Sequence, residues 1–117
     1  MKKLLNIKNE KDWEDVKDLT LNNYKVVIFK YSPICYTSTV VEKDFDSWYS
    51  KVSESANLCV AKVNVISERE ISQLISKELN VLHQSPQAIW LAGTKEAKWD
   101  ASHYEISDSK LDELLAE

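Results

Sequence analysis

Two side chains in this sequence carry a nucleophilic sulfur, Cys35 and Cys59. Cys35 stands in Ser32-Pro33-Ile34-Cys35-Tyr36-Thr37-Ser38, between an apolar run and a segment of helical periodicity. A cysteine at a helix start meets unpaired N–H groups and the positive end of the helix dipole. Both favour the thiolate over the thiol, and the thiolate is the species that attacks a disulfide. The competing reading is a small apolar filler under the helix, since cysteine is among the most buried residue types. A strand-to-helix junction after a Pro-containing loop favours the reactive reading. Ser38 follows three residues later, giving C-Y-T-S, and residues three apart in a helical turn are neighbours. A second cysteine there would resolve a mixed disulfide. Serine cannot; it is left to donate a hydrogen bond to the thiolate or to cap the helix. The chemistry this spacing suits is monothiol: Cys35 takes up an adduct and another thiol releases it.

The other candidates are weaker. Cys59 lies inside an apolar strand and reads as core filler, because apolar surroundings keep a thiol inert. The cysteines form no CxxC or CxxH pair, so the sequence offers no zinc site. In a reducing cytosol both rest as free thiols and a bond between them is disfavoured. His83 and His103 lack a third ligand at recognisable spacing, so no metal site is expected. Neither gains an acid–base role from its position. Lys30 is close to Cys35 in sequence and is a candidate source of positive charge. The four tryptophans fall on different elements and read as core and rim.

Several elements must position Cys35. Residues 10–20 read as a helix with Trp13 and Val16 on one face. Residues 24–31 (YKVVIFKY) have a continuously apolar centre, the pattern of a strand covered on both faces. From residue 36 or 37 to about 52, Val41, Phe45, Trp48 and Val52 recur on one helical face. Residues 58–65 (LCVAKVNV) form a second strand. Ser67-Glu68-Arg69-Glu70 has the form of a capping box, and Ile71, Leu74, Ile75 and Leu79 make the stripe of the helix that follows. Residues 87–91 and 96–101 pair as a hairpin around Gly93, which needs a positive φ. Ser107 or Ser109 caps a last helix bearing Leu111, Leu114 and Leu115. Two strands joined by a helix run parallel with a right-handed crossover. The expected fold is α/β and thioredoxin-like: a mixed central sheet, βαβ then ββα, with helices on both faces. Cys35 then falls at the carboxyl edge of the parallel strands, where ligands bind.

Composition sets the frame. A chain of 117 residues fits one domain, and 44% hydrophobic residues suffice for a packed core. A net charge of −4, with basic residues scattered, disfavours a nucleic-acid partner. No stretch reaches the roughly 18 apolar residues of a membrane span, and Leu4, Leu5 and Ile7 are too few for a signal segment. The expectation is a soluble cytoplasmic protein with no membrane partner.

Several segments together resemble the YtxJ-like monothiol bacilliredoxin family, a thioredoxin-fold group. They are Phe29-Lys30 running into Ser32; Cys35 with Ser38; Val81-x-His83-x-Ser85-Pro86-Gln87-Ala88; and Trp99-x-Ala101-Ser102-His103. Their order and spacing also fit. The resemblance implies a nucleophilic Cys35 and a cis-proline at Pro86. It implies that Ser85 offers backbone groups to an extended substrate or thiol adduct. It further implies removal of bacillithiol from protein mixed disulfides. The partners would be S-thiolated proteins and the low-molecular-weight thiol, which serves as co-substrate, with no bound cofactor. One departure stands out. The family has T-C-P-I-S where this chain reads Ile34-Cys35-Tyr36-Thr37-Ser38. Tyr36 supplies an N–H that proline lacks and a ring to cover the site, so it joins Ser85 and Pro86 as a candidate substrate-binding residue. Two rival functions fit the same residues. One is a non-catalytic module that docks a partner chain along Ser85-Pro86. The other is iron–sulfur handling through Cys35 and a small thiol, which the bulk of Tyr36 disfavours.

Overall fold

A computed structural model describes residues 1–117. Its centre is the strand β2 (Lys25–Tyr31), whose residues 26–30 are wholly buried. Val26, Val27, Ile28 and Phe29 suit a pleated surface covered on both sides. β2 pairs in parallel with β3 (Leu58–Asn64), and β3 pairs in parallel with β1 (Lys3–Asn6). On its other side β2 pairs antiparallel with β4 (Gln87–Leu91), which pairs antiparallel with β5 (Ala97–Ser102). The sheet order is β1-β3-β2-β4-β5.

The helices are α1 (Glu10–Leu19), α2 (Tyr36–Lys51), α3 (Arg69–Leu79) and α4 (Asp108–Ala116). Strand alternation sorts β2 between two cores. Val26 and Ile28 pack with Trp13 and Val16 of α1 and Ile71, Ile75 and Leu79 of α3. Val27 and Phe29 pack with Val41, Phe45 and Trp48 of α2 and Leu111 and Leu114 of α4. The Phe29 and Phe45 rings stack at 4.4 Å. Each helix pair is also tied by an indole: Trp13 Nε1 donates to Glu78 Oε1 at 2.9 Å, and Trp48 Nε1 donates to Asp112 Oδ1 at 2.8 Å. This is the thioredoxin-like arrangement expected above. No helix is long and apolar enough to cross a membrane.

Two local details differ from expectation. β1 is a fifth strand; its four residues are exposed at the sheet edge, too short and too polar in setting to leave a burial pattern. The capping box does not form. α3 begins at Arg69, its N-cap is Glu68, and no side chain caps it. Asn64 takes over the turn instead, its Oδ1 accepting from the N–H groups of Ile66 and Ser67 at 3.0 and 3.1 Å. Ser107 does cap α4, accepting from the Lys110 N–H, and Gly93 turns the hairpin at φ 82°.

Candidate functional site at the carboxyl edge of the sheet

Cys35 is the N-cap of α2, in extended backbone conformation. Its carbonyl accepts from the Thr39 N–H at 3.0 Å and from Thr39 Oγ1 at 3.1 Å. Its thiol makes no capping bond and is half-buried, so the sulfur is left free at the end where the first helical N–H groups lack partners. Ser38 is wholly buried one turn on. Its Oγ accepts from the Ser32 N–H at 2.8 Å and makes no hydrogen bond to the Cys35 sulfur. The expected bond from Ser38 to the thiolate is therefore replaced by a tie across the loop. Ser38 fixes the strand end to the first turn of α2, and so holds Cys35 from both sides.

The second half of the site comes from the loop before β4. The Ser85–Pro86 peptide is cis. Because Gln87 pairs with Lys30, Ser85 and Pro86 run on level with the end of β2 and the loop that carries Cys35. The Pro86 carbonyl accepts from the His103 N–H at 3.0 Å, and His103 takes a left-handed φ of 55°. Ser85 makes no backbone hydrogen bond, and its buried Oγ has no partner. An extended chain laid along Ser85 would find both a free N–H and a free carbonyl. Around these loops stand Ile34, Tyr36, Ile66, Leu82 and Tyr104, all exposed apolar or aromatic side chains. Tyr36 is 80% exposed, so its ring stands out in solvent rather than closing the site.

Lys30 is not a charge beside Cys35. Strand alternation sends it to the opposite face of the sheet from α2, under α3. There its Nζ donates to Ser72 O at 2.7 Å and Ser76 Oγ at 2.6 Å and meets His83 Nδ1 at 3.2 Å. Burial pulls its pKa down to about 8. The lysine on the α2 face is Lys62 of β3, opposite Phe29, paired with Glu42 at 2.8 Å and Asp46 at 2.7 Å. Cys59 is wholly buried near the start of β3, and burial pushes its pKa up to about 12. It pairs with Val26, five residues before the end of β2. At roughly 3.3 Å per residue this puts it about 16 Å back along the sheet from the edge that carries Cys35.

A family model described as "Monothiol bacilliredoxin BrxC" matches residues 5–111. The chain belongs to the monothiol bacilliredoxin family. No curated protein matches it. Among solved structures, it is similar to a thioredoxin-fold protein described as a proposed oxidoreductase. That protein is 26% identical, with a TM-score of 0.78, covering 97% of this chain and 94% of the other. Two thioredoxins, both 15% identical, share the fold. One, from Malassezia sympodialis, has a TM-score of 0.70 and covers 99% of this chain and 89% of its own. The other, a variant from Halobacterium salinarum, has a TM-score of 0.69 and covers 97% and 88%. A bacilliredoxin of this architecture has the scaffold of a thiol oxidoreductase, with one cysteine at the carboxyl edge of its parallel strands.

Of the residues singled out from the sequence, Cys35, Tyr36 and Ser38 fall on the N-cap and first turn of α2, and Ser85 and Pro86 on the loop before β4, all at that edge. His83, which sequence reasoning left without a role, stands on the same loop as Ser85. The signal for it was a lysine inside an otherwise apolar strand: a buried ammonium must find acceptors, and a histidine in a neighbouring loop is one.

Proposed function

We propose that the protein is a monothiol thiol–disulfide oxidoreductase that removes a low-molecular-weight thiol, bacillithiol, from protein mixed disulfides in the cytoplasm. The observation that carries this reading is a free thiol on the N-cap residue of α2, at the sheet edge that also carries the unpaired backbone groups of Ser85. The Cys35 thiolate attacks the small-thiol sulfur of the mixed disulfide. The old S–S bond breaks, its electron pair leaves with the protein thiolate, and that thiolate takes a proton from solvent. Cys35 now carries the small thiol through a new S–S bond. A second small-thiol thiolate attacks that bond, leaves as the small-thiol disulfide, and returns Cys35 as thiolate. No residue of this chain can do the second step. Position 38 is a serine, and Cys59 is buried at the far end of the sheet.

The apolar rim supports a polypeptide substrate over a free small molecule. Neither of the two main clefts includes Cys35; the larger lies between the start of α1, with Lys8 and Asn9 before it, and the start of α3. The test is intact mass spectrometry after incubation with a bacillithiol-protein mixed disulfide, comparing wild type with Cys35→Ser. The expected result is one adduct on wild type and none on the variant. Equal adducts on both would move the reactive centre to Cys59 and overturn the proposal. The outward-standing Tyr36 favours one second reading, a module that docks a polypeptide along Ser85 without turnover. Binding of the substrate protein with no adduct at Cys35 would select it.

A further inference from the structure

We propose that Lys30 and His83 form a relay that presents an N–H donor at the cis-proline loop for a carboxylate on the small-thiol half of the disulfide. The proposal rests on Cys35 being the attacking thiol, and it names a class of substrate for it. Three observations carry it.

First, Lys30 is wholly buried and has no carboxylate partner. Its three N–H groups are matched by a carbonyl, a hydroxyl and an imidazole nitrogen. None of the ion pairs of the protein includes it. Buried cations are ordinarily paired with anions, because desolvation is otherwise uncompensated. This fold keeps a positive charge inside with nothing of opposite sign against it.

Second, the hydrogen bond to His83 fixes the form of its ring. An ammonium only donates, so Nδ1 must accept, and a neutral imidazole then carries its proton on Nε2. His83 is exposed, and Nε2 lies across the ring from the Nδ1 that meets the buried ammonium, which leaves its N–H for a partner from outside. Burial, Lys30 and Arg69 all lower the pKa of His83, which favours the neutral ring.

Third, the ring is held in place. Lys30 grips it from β2, while Gln87 Nε2 of β4 donates to the Leu82 carbonyl at 2.9 Å, one residue before it. Ser85 follows two residues later, so the donor lies on the loop that flanks Cys35. A carboxylate docked at Nε2–H would complete a row of anion, neutral imidazole and buried cation. It would compensate the charge the fold leaves unpaired, and Arg69 adds a second positive charge nearby.

Three small symmetric disulfides test this: 3,3′-dithiodipropionate, bis(2-hydroxyethyl) disulfide and cystamine, which are anionic, neutral and cationic. In each reaction the Cys35 thiolate forms one S–S bond and expels one small thiolate. The rate of adduct formation is read by mass spectrometry. His83→Ala is expected to lower the anionic-to-neutral rate ratio roughly fivefold, the scale of one hydrogen bond to a charged group at a part-exposed site. Dividing by the neutral rate removes any general effect of the substitution on the loop. His83→Gln, which keeps an N–H donor, should recover part of the ratio. An unchanged ratio in His83→Ala overturns the selectivity. A second arm does not need the thiol. In the Cys35→Ser protein, the His83 ring nitrogens are followed by NMR during titration with 3,3′-dithiodipropionate. The expected result is a single Nε2–H form with a saturable shift. A ring protonated on Nδ1, or one that does not respond, overturns the site. Failure of wild type to react with any of the three disulfides would sink the redox reading alone, and the ring titration would still decide this one.

Discussion

Lys30 and Cys59 give the protein two opposed responses to alkali. Burial lowers the Lys30 pKa from 10.5 to about 8. Between those values the unfolded chain holds a proton that the folded chain has lost, so stability rises with pH across that window. Burial raises the Cys59 pKa from 9.0 to about 12. There the folded chain keeps the proton that the unfolded chain loses, so stability falls as pH rises above 9. Each slope is at most about 1.4 kcal/mol per pH unit. Urea unfolding at pH 7, 8.5 and 10 should show a rise to pH 9 and near-cancellation beyond it. Lys30→Met should leave only the fall, and Cys59→Ala only the rise. At Ser38 the effect is local. Ser38→Ala leaves the Ser32 N–H without its acceptor, which costs about 1–3 kcal/mol. It should also slow adduct formation at Cys35, by loosening the loop; a stability loss with an unchanged rate would separate the tie from the chemistry. The place of Cys35 between strand and helix was legible in the sequence because position along the chain decides it, whereas the cis-proline at Pro86 came with the family resemblance. The direction of Lys30 was not legible. A continuously apolar strand does not say which of its faces meets α2, and one residue of phase moves the ammonium from one side of the sheet to the other.

At the scale of elements, the two helix pairs are held by long-range polar ties as well as by apolar packing. Asp112→Ala removes the acceptor of Trp48 Nε1 and should cost about 1 kcal/mol in urea unfolding. The tie is in the C-terminal half of α2, away from Cys35, so the adduct rate should not change. A changed rate would mean that α4 helps to set the N-terminal end of α2. The helices themselves were readable from their stripes, since Val41, Phe45 and Trp48 all bury as their spacing requires. Ser76 of α3 also buries its hydroxyl, a feature the apolar stripe could not announce, because its partner is a lysine on another element; Ser72 lends that lysine only its carbonyl, and its own buried Oγ has no partner. The capping box failed for a related reason. Asn64 sits at the end of β3 and captures the turn first, and that competition depends on where the strand stops.

For the molecule as a whole, the parallel strands end on one side, and the loops there bring together the free thiol, the cis-proline and the exposed apolar rim. Ile34 and Leu82 stand 81% and 78% exposed on either side of it. Burying such side chains on docking is worth about 1–2 kcal/mol each. Ile34→Asn with Leu82→Asn should therefore slow the reaction with a protein mixed disulfide roughly tenfold or more, while leaving bis(2-hydroxyethyl) disulfide unaffected. Equal slowing of both would place the rim in the chemistry instead of in recognition. The placement of the two sulfurs has a wider consequence. With Cys59 sealed about 16 Å behind the working edge, a loaded molecule has no way to discharge itself. Its occupancy is set from outside, by how fast fresh donor arrives against how fast damaged clients accumulate. On the proposed chemistry, the fraction of molecules still holding cargo would read out the balance of the surrounding pool, much as a gauge reads a tank it does not fill.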